Sequence, residues 1–317
     1  MINKQIIVII PMYNALKTID LAIESVLNQK LIDIKVIIID HGSEDGGYEH
    51  VKEKYHAVNN LLLHRLDRTV NERRSASRPL NTGFRLALDL VDWNLSDQTY
   101  LIRLDADDVF FSDDALANIF RTWKPSVKFL NGQIIMYNND TKKASSYSPK
   151  SHINNINALL IGGAYAMAHH ASLISPILVK TLFERDGYCY MENTGYGEDL
   201  DFSLRLLKLC DESEFVMCFE SVIIKKLDGD SISNGIGLKD VIADHLRIFR
   251  KHTSLSRSLL LKIIIWFLFR SLGRFGNFIN SRRKPPAYQY AEIKDYPYDE
   301  VMLRYKMILN YRGKSNE

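Results

Sequence analysis

Between Gln5 and Leu104, short β-branched and aliphatic runs alternate with stretches whose apolar residues recur at helical spacing. This alternation limits the possible folds more than any other feature of the chain. Gln5–Ile10, Lys35–Ile39, Asn60–Leu66 and Tyr100–Leu104 read as strands. The runs 15–29, 45–57 and 78–90 read as helices, the first placing Ile19, Ala22, Ile23, Val26 and Leu27 on one face. Apolar runs without alternation suit strands covered on both sides. A βαβαβαβ succession of such strands predicts an α/β fold, with a doubly wound, mostly parallel sheet flanked by helices.

Ligands of such sheets sit in the crevice beyond the carboxyl ends of the strands. Three of the predicted strands end in polar groups: Tyr13-Asn14 after the first, Asp40 to Ser43 after the second, and Asp105-Ala106-Asp107-Asp108 after the fourth. Three carboxylates this close together are costly unless a cation neutralises them. Asp105, Asp107 and Asp108 are therefore the candidate metal ligands, for Mg²⁺ or Mn²⁺, hard ions that bridge protein carboxylates to phosphates. A solvated acidic turn that caps a helix starting near Asp113 would use the same residues.

A second constellation is Gly197-Glu198-Asp199-Leu200-Asp201, opening a predicted helix over 200–209. Glycine followed by acids is good capping and dipole chemistry. A carboxylate held at a helix start beside a cleft is equally suited to act as general base for a hydroxyl. Both readings remain open on the residues alone. Elsewhere in the second half, Lys128–Tyr137 and Phe215–Lys225 read as strands, Ser172–Asp186 as a helix, and 298–310 as a short helix.

The composition allows a sizeable core, with 46% hydrophobic residues and a formal net charge of only +3. A balance this even argues against generic polyanion or nucleic-acid binding. Cys189, Cys210 and Cys218 are odd in number and show no CxxC spacing, so neither a disulfide framework nor a zinc site is expected, and a reducing cytosol fits. The N-terminal apolar run stops at Pro11, too short for a signal-peptide core. No stretch reaches the ~18 uninterrupted apolar residues of a spanning helix.

In order along the chain come PMYNALKTIDLAIESVLNQ, IIIDHGSED, RPLNTGFRLAL, LIRLDADD and GEDLDFSLRLL. Together they resemble the bacterial glycosyltransferase family 2, of GT-A fold, over roughly residues 5–235. The resemblance implies inverting, metal-dependent transfer from a nucleoside-diphosphate sugar, expected to be a UDP-sugar. Carried over by position, it places Pro11, Tyr13, Asn14, Asp40 and His41 around the nucleoside, and Asp105, Asp107 and Asp108 around the metal and the donor's ribose-diphosphate. Asp199 would be the base that deprotonates the acceptor, supported by Glu198.

The chain departs from the family pattern in three places. Asp40-His41 stands where two acids usually precede Gly-Ser, which leaves the recognised base open. Arg78-Pro79-Leu80-Asn81 replaces an Arg-Asn pair, making Arg74, Arg78 and Asn81 the candidate donor contacts there. The segment from Lys225 to Ser233 lacks the histidine that often completes the metal shell; Asp228 or Asp230 could substitute, or the metal could be held more weakly. His169-His170 is a poor metal pair, because adjacent side chains rarely converge on one ion, and an acceptor-lining or structural role is expected.

From His245 to Tyr290 there are seven Arg and three Lys with no Asp or Glu, around the apolar run Leu259–Phe269. A basic-edged apolar helix with Trp266 predicts peripheral attachment to an anionic membrane through 255–284. The expected organisation is a catalytic domain over 1–240, with donor binding in about 1–110 and the acceptor side in about 111–240, followed by a basic, partly amphipathic helical extension over 241–317. The expected place of action is the cytoplasmic face of the bacterial inner membrane, and the expected acceptor a glycan or a polyprenyl-diphosphate-linked oligosaccharide of surface-polysaccharide assembly. Two other classes compete. A nucleotidyltransferase can share such a sheet, but PMYNALKT carries no phosphate-loop glycine. An inactive scaffold would not need both Asp107 and Asp199.

Overall fold

A computed structural model describes residues 4–30, 33–68, 75–149, 171–192, 197–226, 238–252 and 291–314. Arg74, His169, His170, Asp228, Asp230 and the predicted membrane segment 255–284 lie outside the described residues.

The first half folds as its periodicity predicts. Strands β1 (Gln5–Met12), β2 (Asp33–Asp40), β3 (Leu61–Arg65) and β4 (Thr99–Arg103) alternate with helices α1 (Ile19–Leu27), α2 (Gly47–Lys54) and α3 (Ser77–Asp89). β1 lies parallel to both β2 and β4, and β2 parallel to β3. Burial on both faces accounts for the unbroken apolar strands. Ile7, Ile9, Ile37 and Ile39 pack with Leu80 and Phe84 of α3 on one side. Ile6, Val8, Ile10, Val36 and Ile38 pack with Ile19, Ile23 and Val26 of α1 on the other. Gly83 permits the close approach of α3, since a Cβ there would lie 2.4 Å from Ile9 Cγ2.

The second half departs from a mostly parallel sheet. β5 (Val109–Phe110), a short helix α4 (Ala115–Ile119), β6 (Phe129–Asn138), β7 (Lys143–Pro149), β8 (Ser172–Ile174) and β9 (Phe215–Lys226) follow. β6–β7, β6–β8, β4–β8 and β5–β9 are antiparallel, and only β6–β9 is parallel. The tight Asn139–Lys142 turn explains the first of these: Asn138 Oδ1 accepts from Thr141 N at 2.8 Å, and Lys142 adopts φ 53°. A turn this short can join only antiparallel strands. The helix expected over Ser172–Asp186 is instead β8 followed by α5 (Pro176–Asp186). Ser175, forced extended by the following proline (ψ 137°), ends the strand, and Pro176 opens the helix at N1.

α6 (Glu198–Leu207) and α7 (Leu238–His252) cover the face that carries α3 and α5. Within the stretch expected to form the extension, β10 (Ala291–Tyr296) adds antiparallel to β7 as an edge strand. Helix α8 (Tyr298–Lys314) then packs Val301, Tyr305 and Ile308 on Val109, Ile135, Tyr137 and Ile224. Its buried Arg304 donates to Phe110 O at 3.0 Å and to Asp113 Oδ1 at 2.6 Å. Among the described residues the sheet has ten strands, ordered β10-β7-β6-β8-β4-β1-β2-β3, with β5 and β9 to one side. No helix among the described residues is long and apolar enough to cross a membrane.

Candidate active site

The carboxyl ends of β1, β2 and β4 meet at one rim, as their parallel register requires. β4 stops at Arg103, and the chain turns through Asp105-Ala106-Asp107-Asp108, closed by Asp108 N donating to Asp105 O at 3.1 Å. Asp105, Asp107 and Asp108 each place one carboxylate oxygen within 4.8 Å of the other two. Asp107 is exposed and Asp108 is 1% exposed. Burial, opposed by Lys225 but reinforced by Asp105 and Asp107, pushes the Asp108 carboxyl up to about 8. Asp107 is shifted upward too, by its crowded crevice and by Asp105. Both shifts reflect the cost of burying and crowding carboxylates at one turn. Asp108 Oδ1 is buried with no hydrogen-bond partner, so the donor set fits a hard divalent ion.

Two cations already touch the cluster. Val109 and Phe110 of β5 pair with Ile224 and Ile223 of β9, and this register sets the next residue of β9, Lys225, beside Asp108. Lys225 Nζ donates to Asp105 Oδ2 at 3.0 Å and to Asp108 Oδ2 at 3.1 Å. Arg103 is 6% exposed; its Nε donates to Asp105 Oδ1 at 2.7 Å and its Nη1 to Asp199 Oδ1 at 2.9 Å. That guanidinium joins the two acidic constellations. Neither cation was among the residues picked from sequence. Arg103 carried a usable signal, because a lone charge inside an apolar strand must find partners.

Asp199 sits in the first turn of α6 with Glu198 and Asp201, behind Gly197, whose φ of 82° is a conformation glycine adopts without strain. The positive end of the helix favours these acids. Burial first, then the Asp199 charge, pushes the Glu198 carboxyl up to about 8. Asp201 points the other way and is fully buried. It accepts from Arg205 Nε at 2.8 Å, Lys251 Nζ at 2.9 Å and His252 Nε2 at 2.8 Å. Burial would raise Asp201, but His252, Arg205 and Lys251 outweigh it and hold its carboxyl at about 2. The acids of this helix start thus divide: Asp199 faces the cluster, while Asp201 ties α6 to α7.

Asn81 of α3 shapes the wall of the site. Its Oδ1 accepts from Cys189 N at 3.0 Å and Tyr190 N at 2.7 Å, and its Nδ2 donates to Tyr190 O at 2.9 Å and Glu192 Oε1 at 2.8 Å. Arg205 holds the same loop through Tyr188 O at 3.0 Å and Cys189 O. The fixed Tyr190 ring stacks on Phe202 at 4.3 Å and lies 5.8 Å from the Arg103 guanidinium carbon. Arg78 is turned toward the β3 side, donating to Asp67 O at 2.9 Å.

The turns after β1 and β2 carry the residues expected around a nucleoside. Asp40, fully buried, accepts from Ser43 N at 3.2 and 3.3 Å and pairs with Arg65 at 3.5 Å. Asn14, at φ 48°, accepts from Glu44 N at 2.8 Å, and its own N–H donates to Ser43 Oγ at 2.9 Å. His41 is 4% exposed, its backbone N–H held by Met12 O at 2.8 Å. Tyr13, two residues after the half-buried Pro11, stacks under the Arg68 guanidinium at 4.6 Å. Asp40 thus braces its turn from inside, while the exposed Asn14 ties the β1 end to the β2 end at the surface.

No curated protein matches the sequence. Among solved structures, S. aureus TarS 1-349 in complex with UDP-GlcNAc superposes with a TM-score of 0.55 at 18% identity, over 90% of this chain and 79% of that one. The longer TarS structure superposes at 0.52 and 16% identity over 86% of this chain, which spans only 44% of that chain's length. The mannosyltransferase PcManGT of Pyrobaculum calidifontis, in complex with GDP-Man and Mn²⁺, gives 0.51 at 16% identity over 97% and 85% of the two chains. At these identities the likeness establishes the fold. The family described as "Glycosyl transferase family 2" matches residues 7–179, more than half of the chain and a span that takes in most of β1, all of β2 to β4 and the acidic cluster. The chain belongs to glycosyl transferase family 2 and has the GT-A fold.

Proposed function

We propose that this protein is an inverting, metal-dependent glycosyltransferase of hexosyltransferase type. It moves a sugar from a nucleoside-diphosphate sugar, a UDP-sugar first among the candidates, to a hydroxyl of a glycan or lipid-linked acceptor. The observation that carries this reading is the Arg103 bridge, which places Asp199 and the Asp105 cluster at one rim although 94 residues separate them.

Asp199 takes the acceptor hydroxyl's proton as that oxygen attacks the anomeric carbon and the bond from that carbon to the diphosphate breaks. Arg103 fixes the direction of the Asp199 carboxylate, and the Asn81-held loop fixes Tyr190 against Arg103. Asp107 and Asp108, with Asp105, would hold a divalent ion, which would supply positive charge to offset that gathering on the leaving diphosphate. Tyr13, Pro11 and the Asp40–Ser43 turn receive the nucleoside. Inversion follows from attack on the face opposite the leaving group.

We place the reaction in bacterial surface-polysaccharide assembly, at the inner face of the cytoplasmic membrane. The support is the basic apolar stretch 255–284, which suits a polyprenyl-diphosphate-linked acceptor. The test is calorimetric titration of UDP, GDP and dTDP with and without Mn²⁺, followed by incubation of the matching nucleotide-sugars with lipid-linked acceptors. Metal-dependent binding of one nucleotide and sugar transfer from its donor are expected. Failure of all three nucleotides to bind a folded protein would remove the transferase reading, and indifference to anionic liposomes at low salt would remove the membrane assignment.

A further inference from the structure

Lys225 enters the acidic cluster from β9 with 26% of its side chain exposed, fixed there by the β5–β9 register. It is therefore a built part of the cluster, unlike a mobile surface lysine. Its ammonium holds Asp105 Oδ2 and Asp108 Oδ2 while Arg103 holds Asp105 Oδ1. Both oxygens of Asp105 are thus engaged by protein cations. Asp107 is exposed, and Lys225 takes only Oδ2 of Asp108, whose buried Oδ1 has no hydrogen-bond partner.

We infer that Lys225 is a resident counter-cation that competes with the metal for Asp105 and Asp108, so that metal and donor diphosphate bind as a coupled pair. This rests on the reading of the cluster as a metal and diphosphate site. An ammonium has three donors and no fixed fork, so it can exchange carboxylate oxygens for phosphate oxygens without leaving a charge unpaired. A diphosphate arriving at the rim offers that exchange and frees the carboxylate oxygens for the ion. With no nucleotide present, the ion must either displace the ammonium into solvent or share its ligands with it. Each ligand therefore strengthens the other, by linkage through one side chain. The segment that follows, with no histidine up to Ser233, fits the same picture: a lysine stands at the strand end, and the ion's affinity is conditional on the donor.

The test measures free Mn²⁺ by electron paramagnetic resonance in titrations of the full chain, with and without UDP or GDP. The proteins are wild type, Lys225→Met and Lys225→Arg, with nucleotide binding followed by calorimetry on the same samples. Without nucleotide, Lys225→Met should bind Mn²⁺ at least about ten-fold more tightly than wild type, and Lys225→Arg should stay near wild type. The enhancement of Mn²⁺ binding by nucleotide should shrink in Lys225→Met. An affinity for Mn²⁺ in Lys225→Met no higher than in wild type overturns the inference. So does a wild-type protein that binds Mn²⁺ equally with and without nucleotide, a result that needs no variant to fold. Nucleotide binding that persists with either result leaves the transferase reading standing, whereas a folded protein that binds no nucleotide removes that reading as well.

Discussion

Arg103 Nη1 lies 2.9 Å from Asp199 Oδ1, a bond spanning 96 positions that joins the end of β4 to the first turn of α6. The same guanidinium reaches Asp105 through Nε at 2.7 Å. A buried guanidinium is tolerated only when paired, and breaking such a pairing by removing one partner is costly. Arg103 is therefore both a strut and an aligner. Lysine in its place keeps the charge but cannot reach two carboxylates in a planar fork. Arg103→Lys should lower kcat/KM by about 100-fold, close to 3 kcal/mol. Arg103→Met should destabilise the fold by about 3–5 kcal/mol. Steady-state kinetics and urea titration measure the two effects, and an Arg103→Lys enzyme of wild-type efficiency would remove the aligning role.

Asp107 and Asp199 should separate cleanly. Asp199→Asn removes a proton acceptor, so transfer should fall by about a thousand-fold while nucleotide affinity stays within a few-fold. Asp107→Asn should weaken Mn²⁺-dependent nucleotide binding by more than about ten-fold, because a carboxylate ligand becomes a neutral amide. Calorimetry and turnover on the same preparations decide between these roles. Equal turnover by Asp199→Asn would take that residue out of the mechanism.

The Asn81 amide makes four hydrogen bonds to Cys189, Tyr190 and Glu192. Asn81→Ala leaves two buried backbone N–H groups without their acceptor and should cost about 1–3 kcal/mol. The loss should be local as well as global. Hydrogen exchange at the Cys189 and Tyr190 amides should accelerate more than exchange in β1, and transfer should drop because Tyr190 no longer braces Arg103. Unchanged exchange at those two amides would show that the loop is held by Arg205 alone.

Asp201 sets an acid limit on stability. Its carboxyl is held at about 2 in the fold, below its ordinary value of 3.8, so its contribution is complete above about pH 4 and is lost as pH falls toward 2. The difference corresponds to about 2.5 kcal/mol. Urea titrations of wild type and Asp201→Asn should differ most at pH 5–7, and the gap should narrow by about 1.5–2 kcal/mol as the pH drops to about 2.5. Asp201→Asn should be destabilised by about 3–5 kcal/mol at pH 7, since Arg205 is 2% exposed and loses its main partner. A gap that does not change with pH would mean that Asp201 acts through shape and not charge.

Local pattern was enough for much of this protein. The unbroken Ile-rich runs predicted strands covered on both faces, and β1, β2 and β4 are so covered. The acids after Leu104 and Gly197 were readable as strand-end and helix-start chemistry, because capping and carboxylate crowding are properties of a few adjacent residues. What local pattern could not supply was pairing at a distance. Nothing near Asn81 says that its amide will be consumed by a loop more than a hundred residues away, nor does anything near Lys225 say which carboxylates it will meet. The predicted helix over Ser172–Asp186 lost its first turn to β8, because the open backbone between β4 and β6 needed a strand more than Ser172–Ile174 needed to be helical. The amino-acid sequence by itself determined the two-faced strands, the acidic strand end and the Gly197-led helix. Only the tertiary structure decided that Arg103 and Lys225 would neutralise those acids, since partners on different strands and helices are chosen by sheet order and register, and these are set by the packing of the whole chain.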